Sequence, residues 1–272
     1  MATVTFSEDR VFVLDYDDTL VPSSWLTTKG FKMTKHLCGI TPEMLDACGK
    51  VAEHTAALIN AAKRYGKVVI VTNATREWVV LASKTFMPTI SDIILSLPIF
   101  SAAELYEHQT SSPTIWKKLA FQNDVLRTAF PVQPAMRTVI SIGDSEAERQ
   151  ALKYIQSLAD PDSMLTKSVK FKERPTPEVL IQQLIVTLEG LHMIATTPES
   201  LDLQMTPVDV PSPLTTPVTI IPVVPPLPPS PPPSPPRIPR ISSVFEPFSM
   251  FEDHFTPSER ETKIEDGAKS YE

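Results

Sequence analysis

The sequence predicts an α/β fold: a parallel sheet covered by helices on both faces, followed by a proline-rich tail. Three observations predict it. Short β-branched runs alternate with longer stretches of helical periodicity. The runs are apolar at consecutive positions rather than at every second one, as strands buried on both faces are. Many of the 28 prolines crowd between Pro207 and Pro239 of the 272-residue chain.

The strand candidates, in order, are RVFVLD (10–15), KVVIVT (67–72), DIILS (92–96), RTVISIG (137–143) and KSVKF (167–171). They make an expected sheet of five parallel strands. Helical patterns fill 42–64, 76–86, 113–127 and 145–158, and PEVLIQQLIVTLEGLHMI closes the series at 177–194. The domain is therefore expected to span 1–196. Beyond it, PPLPPSPPPSPPRIPR lacks the N–H groups that helices and sheets require. Residues 197–272 read as a disordered tail. Within it, Pro232, Pro235 and Arg237 match the spacing taken by SH3-type grooves, and the phenylalanine-rich stretch 244–255 reads as a docking segment.

A hydrophobic fraction of 42% supports a real core, while a net charge of −7 and a pI near 5.3 argue against nucleic acid as a partner. Cys38 and Cys48 are too few for a disulfide framework and read as free thiols in a reducing compartment. The N-terminus MATVTFSEDR carries no basic region followed by an apolar core. The apolar stretch at 179–195 is interrupted by Gln182, Gln183, Glu189 and His192, so no membrane span is expected. These features predict a cytoplasmic protein. With seven glycines and neither G-x-G-x-x-G nor G-x-x-x-x-G-K-[ST], dinucleotide and P-loop chemistry lose their main support.

In open parallel sheets, ligands bind beyond the carboxyl ends of the strands. Asp15, Asp17 and Asp18 stand at the first such end, Thr72 and Asn73 at the second, and Asp144 at the fourth, with Glu148 one helical turn further on. The preceding helix carries Lys117 and Lys118. As neighbours they cannot both face the rim, and Lys117, directly after Trp116, is the favoured one. Aspartates so crowded repel one another unless the turn is solvated or a cation and an anionic substrate join them. Such a set suits phosphoryl transfer. Asp15 would be the nucleophile and Asp17 the acid and base. Thr72, Asn73 and Lys117 would hold the phosphate, and Mg²⁺ would offset the negative charge. Asp18 reads as a polar turn or capping residue, and Thr19 as support for that turn.

These residues resemble, in order, four motifs of the haloacid dehalogenase superfamily of phosphatases. They are D-x-D-x-T at Asp15, Asp17 and Thr19, a hydroxyl residue ending the next strand at Thr72, a helix lysine, and G-D-x-x-x-[DE] at Asp144 and Glu148. The resemblance covers roughly 8–190. It implies a Rossmann-like three-layer domain, an aspartyl-phosphate mechanism, and Mg²⁺ held by Asp15, Asp144 and Asp17, the last through its backbone carbonyl, with Glu148 supporting the set. It also implies phosphate rather than carbon–halogen chemistry, because members that break carbon–halogen bonds lack the second aspartate. Neither the interval from Asp15 to Thr72 nor that from Thr72 to Lys117 has room for a cap domain of ordinary size. Only a short flap around 21–39 is expected next to the nucleophile, so the open site suits a phosphate carried on a protein or other large molecule. The alternatives are a small-metabolite phosphatase, a phosphotransferase on the same scaffold, or a non-catalytic phosphate-binding scaffold whose tail recruits partners.

Overall fold

The computed structural model describes residues 9–32, 38–132, 134–160 and 162–207, and the backbone of 218–222. The docking and SH3-type segments expected in the tail lie outside the described residues.

Among these residues one sheet is built from β1 (Arg10–Leu14), β2 (Lys67–Thr72), β3 (Ile99–Ser101), β4 (Arg137–Gly143), β5 (Met164–Lys170), β6 (Leu201–Pro207) and β7 (Val218–Pro222). Their spatial order is β3-β2-β1-β4-β5-β6-β7. The first six run parallel, and β7 pairs antiparallel with β6. The helices are α1 (Ser23–Thr28), α2 (Pro42–Ala62), α3 (Arg76–Phe86), α4 (Ser91–Leu95), α5 (Ala102–Tyr106), α6 (Pro113–Ala120), α7 (Leu126–Ala129), α8 (Glu146–Ser157) and α9 (Pro177–Thr196).

The period-2 geometry of the strands divides their side chains between two cores. Phe12, Leu14, Ile70, Ile140 and Ile142 pack on one side with residues of α2, α3 and α9. Val11, Val13, Val69, Val71 and Val139 pack on the other with Tyr106, Phe121, Leu152 and Ile155. This is why the strands read as apolar at consecutive positions: the central ones have no solvent face. Helix starts follow ordinary capping chemistry. Thr41, Thr75 and Thr176 each accept a hydrogen bond from the backbone N–H three residues on, and Pro42 and Pro177 occupy first-turn positions where their missing N–H is harmless.

Three expectations are corrected. The run DIILS is not a strand: Pro88–Ile90 forms a 3₁₀ turn that leads into α4, and Ser96 N donates to Asp92 O at 3.0 Å. The strand lies after Pro98, where Ile99 pairs with Ile70. A short apolar run has no periodicity of its own to separate helix from strand. Second, the fold does not stop at residue 196. β6 extends the sheet beside β5, and Leu203 and Met205 are buried. Among the described residues the sheet continues to β7, paired with β6. The alternation in LDLQMTP is a half-buried strand signal that the density of nearby prolines obscured. Third, α9 is long and apolar enough by composition to cross a membrane. In the fold, Leu180, Leu184, Leu191 and Ile194 face the core instead.

Candidate active site

The parallel register places the expected site residues along one rim. Leu14 is level with Ile70 on one side and Ile142 on the other, so Asp15, Thr72 and Asp144 all emerge at the carboxyl ends of adjacent strands. Asp15 N donates to Ile142 O at 2.9 Å, fixing the backbone as it leaves the sheet. Asp15, Thr72, Asp144 and Glu148 are all buried.

Lys117 is the residue that joins them. It sits on α6, which ends in a π-helical turn at Phe121–Val125, a feature often found beside functional sites. The residue is 98% buried, and its ammonium lies 2.8 Å from Asp15 Oδ1, while its other close partner is Glu148 Oε1. Lys118 points elsewhere, with its ammonium 5.9 Å from the Tyr154 ring centroid. The choice between the neighbours is thus a matter of helical phase: about 100° separates them, enough to put one in the rim and the other outside it.

Glu148 is held from both ends. Its Oε2 accepts from Ser145 N at 2.9 Å and from Ser145 Oγ at 2.5 Å, in a capping box that starts α8. Ser145 Oγ in turn accepts from Ala147 N at 3.1 Å. Gly143 makes this possible, since a Cβ there would stand 2.6 Å from Glu148 Cγ. Glu148 therefore orients Lys117 and closes the helix end.

Asp144 is the open carboxylate. Its side chain accepts no hydrogen bond from the described residues, while its backbone carbonyl accepts from Lys170 Nζ at 2.8 Å. Burial, with the charges of Asp15 and Asp18 adding to it, pushes its pKa up to about 8. One carboxylate oxygen from each of Asp15, Asp144 and Glu148 lies within 4.8 Å of the others. Because Lys117 and Ser145 occupy both oxygens of Glu148, Asp15 and Asp144 are the pair available to a cation. Their all-oxygen chemistry fits a hard divalent ion.

Asp17, expected to reach the metal through its backbone carbonyl, turns its side chain away from the acid cluster. Its carboxylate lies outside that cluster and accepts from Trp78 Nε1 at 2.8 Å. Burial is the main cause that raises its pKa to about 6. It lines a cavity of about 550 Å³, which Asn73, Ala74, Phe31 and Trp78 also line. Asp18 adopts a left-handed backbone, φ 55°, and its Oδ1 accepts from Ser24 N at 2.9 Å, tying the turn to the start of α1. That is a turn-forming role, and aspartate tolerates the conformation better than most residues. Thr19 is fully buried and its hydroxyl oxygen has no hydrogen-bond partner among the described residues.

Thr72 Oγ1 accepts from Ala74 N at 3.0 Å, which leaves its hydroxyl proton to donate elsewhere. Asn73 Oδ1 is buried without a hydrogen-bond partner among the described residues. Between Asp15 and Thr72, and between Thr72 and Lys117, the described residues hold no separate domain, only α1 and α2 in the first interval and short elements in the second.

Three residues were not singled out from the sequence. Lys170 closes the fifth strand, so the strand-end rule applied there would have found it. Ser145 lies inside the G-D-x-x-x-[DE] motif and carried a capping signal of its own, S-x-x-E. Trp78 had no signal, because its contact with Asp17 spans 61 positions. No protein-family model, curated protein or solved structure matches the chain.

Proposed function

We propose that the chain is a divalent-cation-dependent phosphatase of the haloacid dehalogenase type, hydrolysing a phosphate monoester through an aspartyl phosphate. The observation that carries this reading is the buried Lys117 ammonium bridging Asp15 and Glu148, with the open carboxylate of Asp144 beside them. A structural salt bridge would need one acid per base; here two carboxylates contact one lysine and a third, that of Asp144, stands within 4.8 Å of them, an excess of negative charge that suits a cation.

Lys117 holds Asp15 Oδ1, which leaves Oδ2 to attack phosphorus. A bond forms between Oδ2 and phosphorus as the ester oxygen leaves, and Asp17 gives that oxygen its proton. In the second step water attacks the same phosphorus, Asp17 takes its proton, and the bond to Asp15 breaks to release phosphate. A carboxyl with a pKa near 6 can serve in both directions near neutral pH. The Thr72 hydroxyl and Lys117 would donate to phosphoryl oxygens. Rotating the Asn73 amide by a half-turn would present its N–H₂ as a further donor. Asp15 and Asp144, joined by the Asp17 backbone carbonyl, would hold Mg²⁺. When bound, the ion supplies positive charge that offsets repulsion between the carboxylates and the phosphate.

Among the described residues no separate domain covers the rim, which favours access by a large substrate such as a phosphoprotein. The test is phosphate release from p-nitrophenyl phosphate, with and without Mg²⁺. Metal-dependent release lost in Asp15→Asn is the expected result. No release under any metal would leave a non-catalytic phosphate-binding scaffold as the better reading.

A further inference from the structure

We propose that the cavity beside Asp17 receives the departing alcohol of the substrate and that this alcohol is aromatic, so the preferred substrates are aryl or arylalkyl phosphates. The inference rests on the phosphatase reading for the direction of departure and on the cavity itself for the chemistry.

The direction follows from one residue. Of the carboxylates at the rim, Asp17 is the one that lines the cavity, whereas Asp15, Asp144 and Glu148 cluster with one another, two of them on Lys117. A group that protonates the ester oxygen must stand beside the leaving group. The leaving group therefore lies on the cavity side of phosphorus, with Asn73 on the adjoining wall.

The chemistry follows from the walls. Phe31 and Trp78 form an aromatic corner, their ring centroids 5.8 Å apart and their planes tilted by 33°. Ala74 extends that apolar surface, and the indole N–H is already committed to Asp17, so its ring offers a face or edge rather than a donor. Ser23, Ser24, Thr27, Lys32 and Thr75 complete the lining. Asp17 is the single acidic group among the described residues of that lining, and its carboxylate is already hydrogen-bonded to Trp78. At about 550 Å³ the cavity exceeds what a methyl or ethyl group fills and lies in the usual range of small-molecule sites. An aromatic ring stacked in this corner satisfies both its size and its polarity.

The test compares 2-phenylethyl phosphate with ethyl phosphate, alkyl esters whose leaving groups have similar acidity, so that a rate difference reports binding rather than bond strength. Burying a phenyl ring should raise kcat/KM on the order of 30-fold or more. Thr27→Trp, which fills the cavity from an exposed helix position, should bring that ratio close to one. Equal kcat/KM for the two esters in the wild-type protein, with Mg²⁺-dependent turnover of both, would overturn the proposal.

A second measurement needs no turnover. Calorimetric titration with 2-phenylethylphosphonate and ethylphosphonate should show the same preference in Kd, and equal Kd values would overturn the proposal as well. If the aromatic phosphonate binds better but no ester is hydrolysed, the phosphatase reading fails and the cavity assignment stands. A phosphotyrosyl peptide separates the sources of this chemistry. Turnover at least as fast as that of the small ester puts the aromatic phosphate on a protein; turnover of the small ester alone puts it on a metabolite.

Discussion

The Lys117 ammonium lies 2.8 Å from Asp15 Oδ1 across 102 positions of sequence, and both side chains are withdrawn from solvent. Glu148 is the other anchor of the same ammonium. Pairs this buried are sensitive to losing one member, since the survivor keeps its desolvation cost without its compensation. That asymmetry gives the site distinct signatures under mutation.

Asp15→Asn should abolish turnover and leave the fold intact. The substitution removes the nucleophile but also removes a charge that raises the pKa of Asp144. Glu148 remains to pair Lys117. The melting temperature without metal should therefore be maintained or raised. Activity above a few per cent of wild type would show that Asp15 is not the nucleophile.

Lys117→Ala and Lys118→Ala should differ in both rate and stability. Losing Lys117 leaves Asp15 and Glu148 facing each other unpaired, a cost of about 3–5 kcal/mol for breaking a buried pair. Its rate loss should correspond to about 2–4 kcal/mol, the range for a lost oxyanion donor. Lys118→Ala should be nearly silent in both. Thermal melts and initial rates on p-nitrophenyl phosphate make the comparison, and equal small effects would displace Lys117 from the site.

Stability without metal should fall as pH rises through about 6 and then about 8. Asp17 and Asp144 both have folded pKa values raised above the ordinary carboxylate value, mainly by burial. A raised carboxyl favours the folded state while it stays protonated, so its contribution is complete below the unfolded pKa of about 4 and is lost as it ionises in the fold. The melting temperature should therefore fall steadily over that range. Asp144→Asn should flatten the upper part of the curve. Added Mg²⁺ should restore Tm at pH 8 in the wild type but not in that variant. A Tm that is independent of pH between 5 and 9 in chelator would contradict the geometry assigned to these carboxyls.

Truncation should separate the two proposed ends of the domain. Stopping after residue 196 removes β6, with buried Leu203 and Met205, each contributing about 1.5–3 kcal/mol. It also removes Asp202, which accepts from Arg149 Nε at 2.7 Å, and the Thr197 carbonyl, which accepts from buried Lys167 at 2.6 Å. That protein should melt at least 10 °C lower or fail to fold. Stopping after residue 226 should keep the full-length Tm and the rate on a small phosphate ester. Equal melting temperatures for both truncations would show that β6 adds nothing to the sheet.

By itself the sequence determined the α/β class, the central strands and the residues at their ends. Those features are local. RVFVL, KVVIVT and RTVISIG are apolar on consecutive positions because both faces are covered, and Asp15, Thr72 and Asp144 follow them directly in the chain. The tertiary structure decided what depends on contacts between distant segments. It turned DIILS into helix α4, since five apolar and polar residues fit either element until Pro98 and Ile70 set the register. It also drew LDLQMTP into the sheet beside β5, an outcome that the surrounding prolines hid. The helical phase of α6 chose Lys117 over Lys118, and the turn after Asp17 sent that carboxylate to Trp78 rather than to the acid cluster. In each case the chain's local preferences allowed two answers, and the burial of a distant partner selected one.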